Sequence, residues 1–89
     1  MPKLNEEIKQ QFLIEFGENI RNIRKQKKLS QTDLALRING DEMKISRIER
    51  GMYNFGISSL LILAKALEVE VIELFKIENI TFLQNNIWE

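Results

Sequence analysis

The sequence contains no cysteine and no histidine. Disulfides and Cys/His zinc sites are therefore excluded, along with two common nucleophile and base types. There is also no glycine-rich phosphate loop and no clustering of carboxylates around a cleft. Nothing assembles a reaction site, so neither enzyme chemistry nor a metal or cofactor is expected. No apolar run approaches the roughly 18–20 residues of a membrane span. Met1-Pro2-Lys3 leads into a charged stretch without a secretory apolar region. These absences predict a cytoplasmic protein with no membrane partner, nucleoid-associated if it binds DNA. Net charge is lacking too: 13 Lys and Arg balance 13 Asp and Glu. Bulk composition thus gives no pointer to nucleic acid.

What is present is ordinary in amount and uneven in placement. With 89 residues, 44% hydrophobic and 29% charged, the chain reads as one small globular domain. Residues 1–30 carry a net charge of +3, residues 31–51 zero, and residues 52–89 a net −3. A basic front half can face phosphates while an acidic rear half faces away.

Hydrophobic spacing predicts helices throughout. Leu4, Ile8, Phe12, Phe16, Ile20 and Ile23 form one stripe of a long amphipathic helix over roughly residues 5–27. Asn5 is its N-cap, and Gly17 is a weak or bent point in its middle. Ser30, with Asp33 three positions on, opens a second helix from Gln31 to about Ile38. Asn39-Gly40 is a turn signal, Asp41 caps a third helix over roughly Glu42–Arg50, and Gly51 stops it. A fourth helix is expected over Ile57–Leu67 and a short fifth over Val71–Phe75. The tail, residues 76–89, is too apolar for free solution and fits either a strand or a last helical turn.

The segment Gln31–Gly51 is the most informative. Its third helix turns Ile45 and Ile48 inward. At about 100° per residue, Met43, Arg47 and Arg50 then project outward, with Ser46 beside them. A short helix held against a core, with long polar and cationic side chains outward, has the shape that enters a DNA major groove.

From Phe16 to Phe75 the sequence resembles the helix-turn-helix domain of lambda repressor and Cro-like regulators, the xenobiotic-response-element type. The matching residues are Ile20-Arg21-Asn22-Ile23-Arg24, Leu29-Ser30-Gln31, Leu34-Ala35, Ile45-Ser46-Arg47-Ile48-Glu49-Arg50-Gly51, Asn54, and Leu63-Ala64-Lys65-Ala66-Leu67 through Glu73-Leu74-Phe75. The resemblance implies an all-α, five-helix domain over residues 1–75. Its helix-turn-helix lies at 31–50, its first helix is extended, and its C-terminal tail (76–89) is short and apolar. The third helix would read the major groove.

In that groove Arg47 would bind guanine in two-point fashion and Lys44 would do likewise or hold a phosphate, while Glu42, where many relatives carry Gln, would select a C·G pair by accepting from cytosine N4. On the same resemblance Gln31 anchors on a phosphate or braces the reading helix. Ser30 caps and touches phosphate. Arg50 and Asn54, with the backbone of residues 52–54, contact the opposite strand's phosphates, though Asn54 fits a loop brace equally well. Arg24 and Glu49 match a family pair that joins the first helix to the third and sets its tilt. In two places the pattern is broken. The turn carries Asn39-Gly40-Asp41 where an apolar residue is usual, a gap that Met43 fills if it folds back out of the groove. Gly56 replaces a Ser or Thr cap on the fourth helix.

The expected function is a sequence-specific regulator binding double-stranded DNA as a homodimer on a pseudo-palindrome. Phe75, Ile77, Ile80, Phe82, Leu83 and Trp88 are the expected dimer surface. The competing use for them is covering the same chain's core against Leu4, Ile8 and Phe12. Stand-alone proteins of this size and pattern resemble restriction–modification controllers, small phage repressors or antitoxins. The alternative function is a protein-interaction module with a regulatory protein partner, which zero net charge and Glu42 favour slightly.

Overall fold

The computed structural model describes residues 2–89. The apolar stripe produces α1 (Glu6–Gln26). Asn5 caps it, its side-chain oxygen accepting from the Ile8 amide at 3.3 Å. Glu6 and Glu7 lie at the positive end of the helix dipole, Arg24 and Lys25 at the negative end. Phe16, Ile20 and Ile23 of the stripe are buried, and Phe12 packs against them half-buried.

Ser30 starts α2 (Gln31–Arg37) with a reciprocal box. Its hydroxyl oxygen accepts from the Asp33 amide at 2.9 Å, and the Asp33 carboxylate accepts from the Ser30 amide at 2.8 Å. Donation to the carboxylate from the Ser30 amide, and then from the Ser30 side chain, holds the Asp33 carboxyl below the usual carboxylate range. Asp41 then caps α3 (Glu42–Glu49), accepting from the Lys44 amide at 2.7 Å.

In the turn between α2 and α3 only Asn39 takes a left-handed conformation, with φ 54°. The apolar plug is Ile38, half-buried against the core just before the turn. Met43 does not fold back: it is 60% exposed.

Helix α4 (Ile57–Leu67) has the expected bounds and buries Leu63, Ala64, Ala66 and Leu67. Arg37 donates to the Ala66 carbonyl at 2.8 Å and so satisfies its C-terminal end. The expected fifth helix, Val71–Phe75, is a 3-10 helix with Leu74 buried. Asn19 of α1 pins it by donating to the Glu73 and Leu74 carbonyls, both at 2.9 Å.

The tail takes the helical form, followed by a single isolated bridge rather than a strand. It makes a short helix, α5 (Ile80–Asn85). An antiparallel bridge between Leu4 and Trp88 follows. The Asn5 amide donates to the Ile87 carbonyl and the Glu89 amide to the Lys3 carbonyl, both at 2.7 Å. Residues 76–89 therefore lie along the first half of α1 and are part of the same body. This corrects two members of the expected dimer surface: Ile77 and Leu83 are 7% and 4% exposed. Their side chains face this chain's own interior, so they are not available to a second copy.

Gly56 caps α4 with no side-chain hydrogen bond. Its φ of −69° suits any residue, and a Cβ there meets nothing within 4 Å. Gly56→Ser supplies a cap oxygen and restricts the unfolded chain, together worth about 0.5–1 kcal/mol. Thermal unfolding should show Tm higher by roughly 2–8 °C. An unchanged or lower Tm would mean the α4 cap does not limit stability.

Candidate nucleic-acid interface

Helix α3 is fixed from three sides before any ligand is considered. Behind it, α1 approaches so closely that a Cβ on Gly17 would stand 2.3 Å from the Ile48 carbonyl oxygen and 2.7 Å from that of Glu49. Only a residue without a side chain permits that contact. Ile45 and Ile48 fill the space alongside, both buried.

The third fixture is ionic. Arg24 Nε and Nη2 donate to the two oxygens of the Glu49 carboxylate at 2.6 and 2.9 Å. Arg24 Nη1 donates to the Leu29 carbonyl at 2.7 Å. Both residues are 6% exposed, and the hydrogen bond to Glu49 raises the already high pKa of the guanidinium. The contact is two-pronged, which fixes the direction of both side chains. It ties the end of α1 to the end of α3 and to the strand of chain entering α2. Gln31 joins it, donating from Nε2 to Glu49 Oε1 at 3.2 Å. Of its two expected roles, Gln31 performs the brace in the free protein.

Against this frame α3 presents one face to solvent. Gln31, Glu42, Met43, Ser46 and Arg50 border a single open depression. Arg47 is exposed beside it, and Arg50 Nε donates back to the Ser46 carbonyl at 3.3 Å. Ser30 is exposed at the start of α2. Lys44 stands apart. Half-buried, it lines a small cleft with Ile38, Phe55 and Ile62, and its ammonium sits 5.5 Å from the Tyr53 ring centroid. Asn54 is exposed in the loop after α3. The expected contacts thus fall into a group at the front of α3 and a flank formed by Lys44, Tyr53 and Asn54.

Three participants had gone unassigned: Gly17, Tyr53 and Gln10. A glycine beside an apolar stripe in mid-helix is a signal for close backbone approach. Tyr53 had no pattern around it. Gln10, which donates to the Gly51 carbonyl at 2.9 Å across 41 residues, had none either. Among the described residues no group of three or more metal-ligating side chains is placed to hold an ion. No helix among them is long and apolar enough to cross a membrane.

A paired cap, a buried Arg–Glu clamp and a short outward-facing helix together define a class of protein. The family model described as Helix-turn-helix matches residues 20–74. The chain belongs to that family, the lambda repressor/Cro type of helix-turn-helix transcription regulator. Among solved structures it is similar to the restriction–modification controller protein C.AhdI from Aeromonas hydrophila, with 40% identity and a TM-score of 0.68 over 71% of this chain and 96% of that one. It is also similar to the controller protein C.Esp1396I, solved as a tetramer on its natural 35-base-pair operator, with 36% identity and a TM-score of 0.66 over 85% and 93% of the two chains. A hypothetical transcription factor, NHTF from Neisseria, shares 26% identity with a TM-score of 0.71 over 92% of each chain. No curated protein sequence matches.

Proposed function

We propose that the chain binds a specific double-stranded DNA sequence as a homodimer and regulates transcription as a restriction–modification controller. The observation that carries the reading is the clamped α3, held by Arg24, Glu49 and Gln31 with Met43, Arg47 and Arg50 facing out. A reading helix must be rigid before its side chains can discriminate bases. Similarity to two controller proteins, one of them solved on its operator, favours that role over a phage repressor or an antitoxin.

In this reading Arg47 contacts a base edge, with Glu42, Met43 and Ser46 beside it. Ser30, Gln31, Arg50 and Asn54 hold phosphates, and Lys44 reaches the backbone by leaving Tyr53. The dimer surface includes Phe82 and Trp88, which are 60% and 57% exposed. Half-buried Phe75 and Ile80 border an apolar groove with Ile8 and Phe12 beside them. Exposed Ile57 and Leu61 of α4 add to the apolar surface away from α3.

Selection from a random duplex pool tests the whole reading. Expected is an enriched pseudo-palindrome with half-sites about one turn, ~34 Å, apart. Arg47→Ala should then lose about 5- to 150-fold in affinity and relax preference at one base pair. Arg50→Ala should weaken all sequences alike and reduce the salt slope by about one. If no sequence is enriched, and binding to random duplex is insensitive to salt, the chain is a protein-interaction module instead.

A further inference from the structure

The first turns of α1 precede the residues that match the family, which begin at 20. They are nevertheless built against the loop that follows the reading helix. Gln10 Nε2 donates to the Gly51 carbonyl at 2.9 Å. Gly51 itself takes φ 74° and lies so close to α1 that a Cβ there would be 2.7 Å from Ile14 Cα and N. Lys9, Gln10 and Leu13 form one wall of a cleft of about 380 Å³ whose other wall is Gly51, Met52, Tyr53 and Asn54.

The loop has little else to hold its backbone. The Met52 amide donates to the Arg47 carbonyl at 2.8 Å, but the amides of Tyr53 and Asn54 donate to no group among the described residues. The next two loop amides, of Phe55 and Gly56, are likewise unpaired, and those of Tyr53 and Asn54, next to Gly51 and the end of α3, can donate to a phosphate oxygen. They are useful only if the loop is already in place. Meanwhile the far side of the α1 start is held down by the tail, through the Asn5–Ile87 and Lys3–Glu89 backbone bonds.

We infer that the N-terminal half of α1 is a strut for the loop after the reading helix, and that Gln10 positions that loop's amides for a DNA phosphate. Gln10 acts through Gly51 and does not touch DNA. Glu6 and Glu7 surround this end of the helix, and Lys9 lies 3.7 Å from Glu6. An acidic helix start repels phosphate, so its contribution is placement of the loop.

The inference rests on the DNA-binding reading, and the experiment separates the two. In Gln10→Met the side chain keeps its length and loses its donor. Backbone order parameters of Met52, Tyr53 and Asn54, measured by NMR on the free full chain, should fall toward the flexible range below about 0.6. Tm should stay within about 3 °C of wild type, since one half-exposed bond is removed. Affinity for the duplex selected by the wild-type chain should drop about fivefold, with its base preferences unchanged. Gln10→Lys, whose ammonium can donate to the same carbonyl, should restore both order and affinity. Unchanged order parameters in Gln10→Met overturn the strut whatever the DNA result. Lowered order with unchanged affinity overturns its role in binding. A wild-type chain that selects no duplex defeats the DNA reading and the phosphate role together, while the order parameters still decide the strut.

Discussion

Gly17→Ala should destabilise the protein by about 2–4 kcal/mol. Two effects of opposite sign meet at this position. Alanine is the better helix former by about 1 kcal/mol, and α1 is a helix here. Its Cβ, however, would stand 2.3 Å from the Ile48 carbonyl oxygen. The obstructing atoms are backbone of α3, so no rotamer change relieves the clash. The helices must separate, and overpacking that moves backbone costs the upper end of about 1–3 kcal/mol or more. The clash wins. Melting followed by far-ultraviolet circular dichroism should show Tm lower by roughly 10–25 °C. The same displacement tilts the reading face, so DNA affinity should fall in the fraction that remains folded. A Tm equal to or above wild type would mean that α1 and α3 lie further apart than described.

Breaking the Arg24–Glu49 pair should cost about 3–5 kcal/mol. Arg24→Ala leaves a carboxylate that is 6% exposed with only Gln31 Nε2, at 3.2 Å, to answer it. It also leaves the Leu29 carbonyl without its 2.7 Å donor. The double variant Arg24→Met with Glu49→Leu tells a different story. Apolar residues of similar volume remove both the charge and the need to compensate it, so stability in urea should recover to within about 1–2 kcal/mol of wild type. DNA binding should not recover, because Gln31 has lost the acceptor that orients it and α3 has lost its directional tie to α1. Stability and binding therefore separate in this variant. A loss below about 1 kcal/mol in Arg24→Ala would show that the pair is solvated and does not set the helix.

Much of this arrangement was legible in the residues. Helices α1 to α4 announce themselves through apolar spacing and through caps at Asn5, Ser30 and Asp41, because those signals are local. Arg24, Glu49 and Gln31 were found through a family pattern, and their hydrogen bonds agree with it. The features that escaped are those whose cause lies across the fold. Gly17 looks like a weak point in a helix until the carbonyls of Ile48 and Glu49 are seen against it. Gln10 and Gly51 are ordinary residues until they meet. Lys44 sits at the flank of α3 as its spacing requires, yet its resting place depends on Tyr53, which no periodicity singles out. The tail resisted assignment because two partners divide it. Ile80 to Asn85 follow the helical face of α1, while Trp88 pairs with an extended residue, Leu4. Ile77 and Leu83 were equally suited to an interface or an interior, and only the path of the chain chooses between them.

That path also gives the molecule a shape in time. The Leu4–Trp88 bridge, with the Lys3 ammonium 3.4 Å from the Glu89 carboxylate beside it, brings residues 3–5 and 87–89 together into a near-closed ring. Other long-range pairings tie α1 to α3, to the 3-10 helix and to α5, whereas this one spans nearly the whole sequence and closes the largest loop. The single tryptophan rides on that seam, more than half exposed and outside the cluster around Phe16. Its emission is therefore a clock for ring closure, running separately from the ellipticity that registers helix formation.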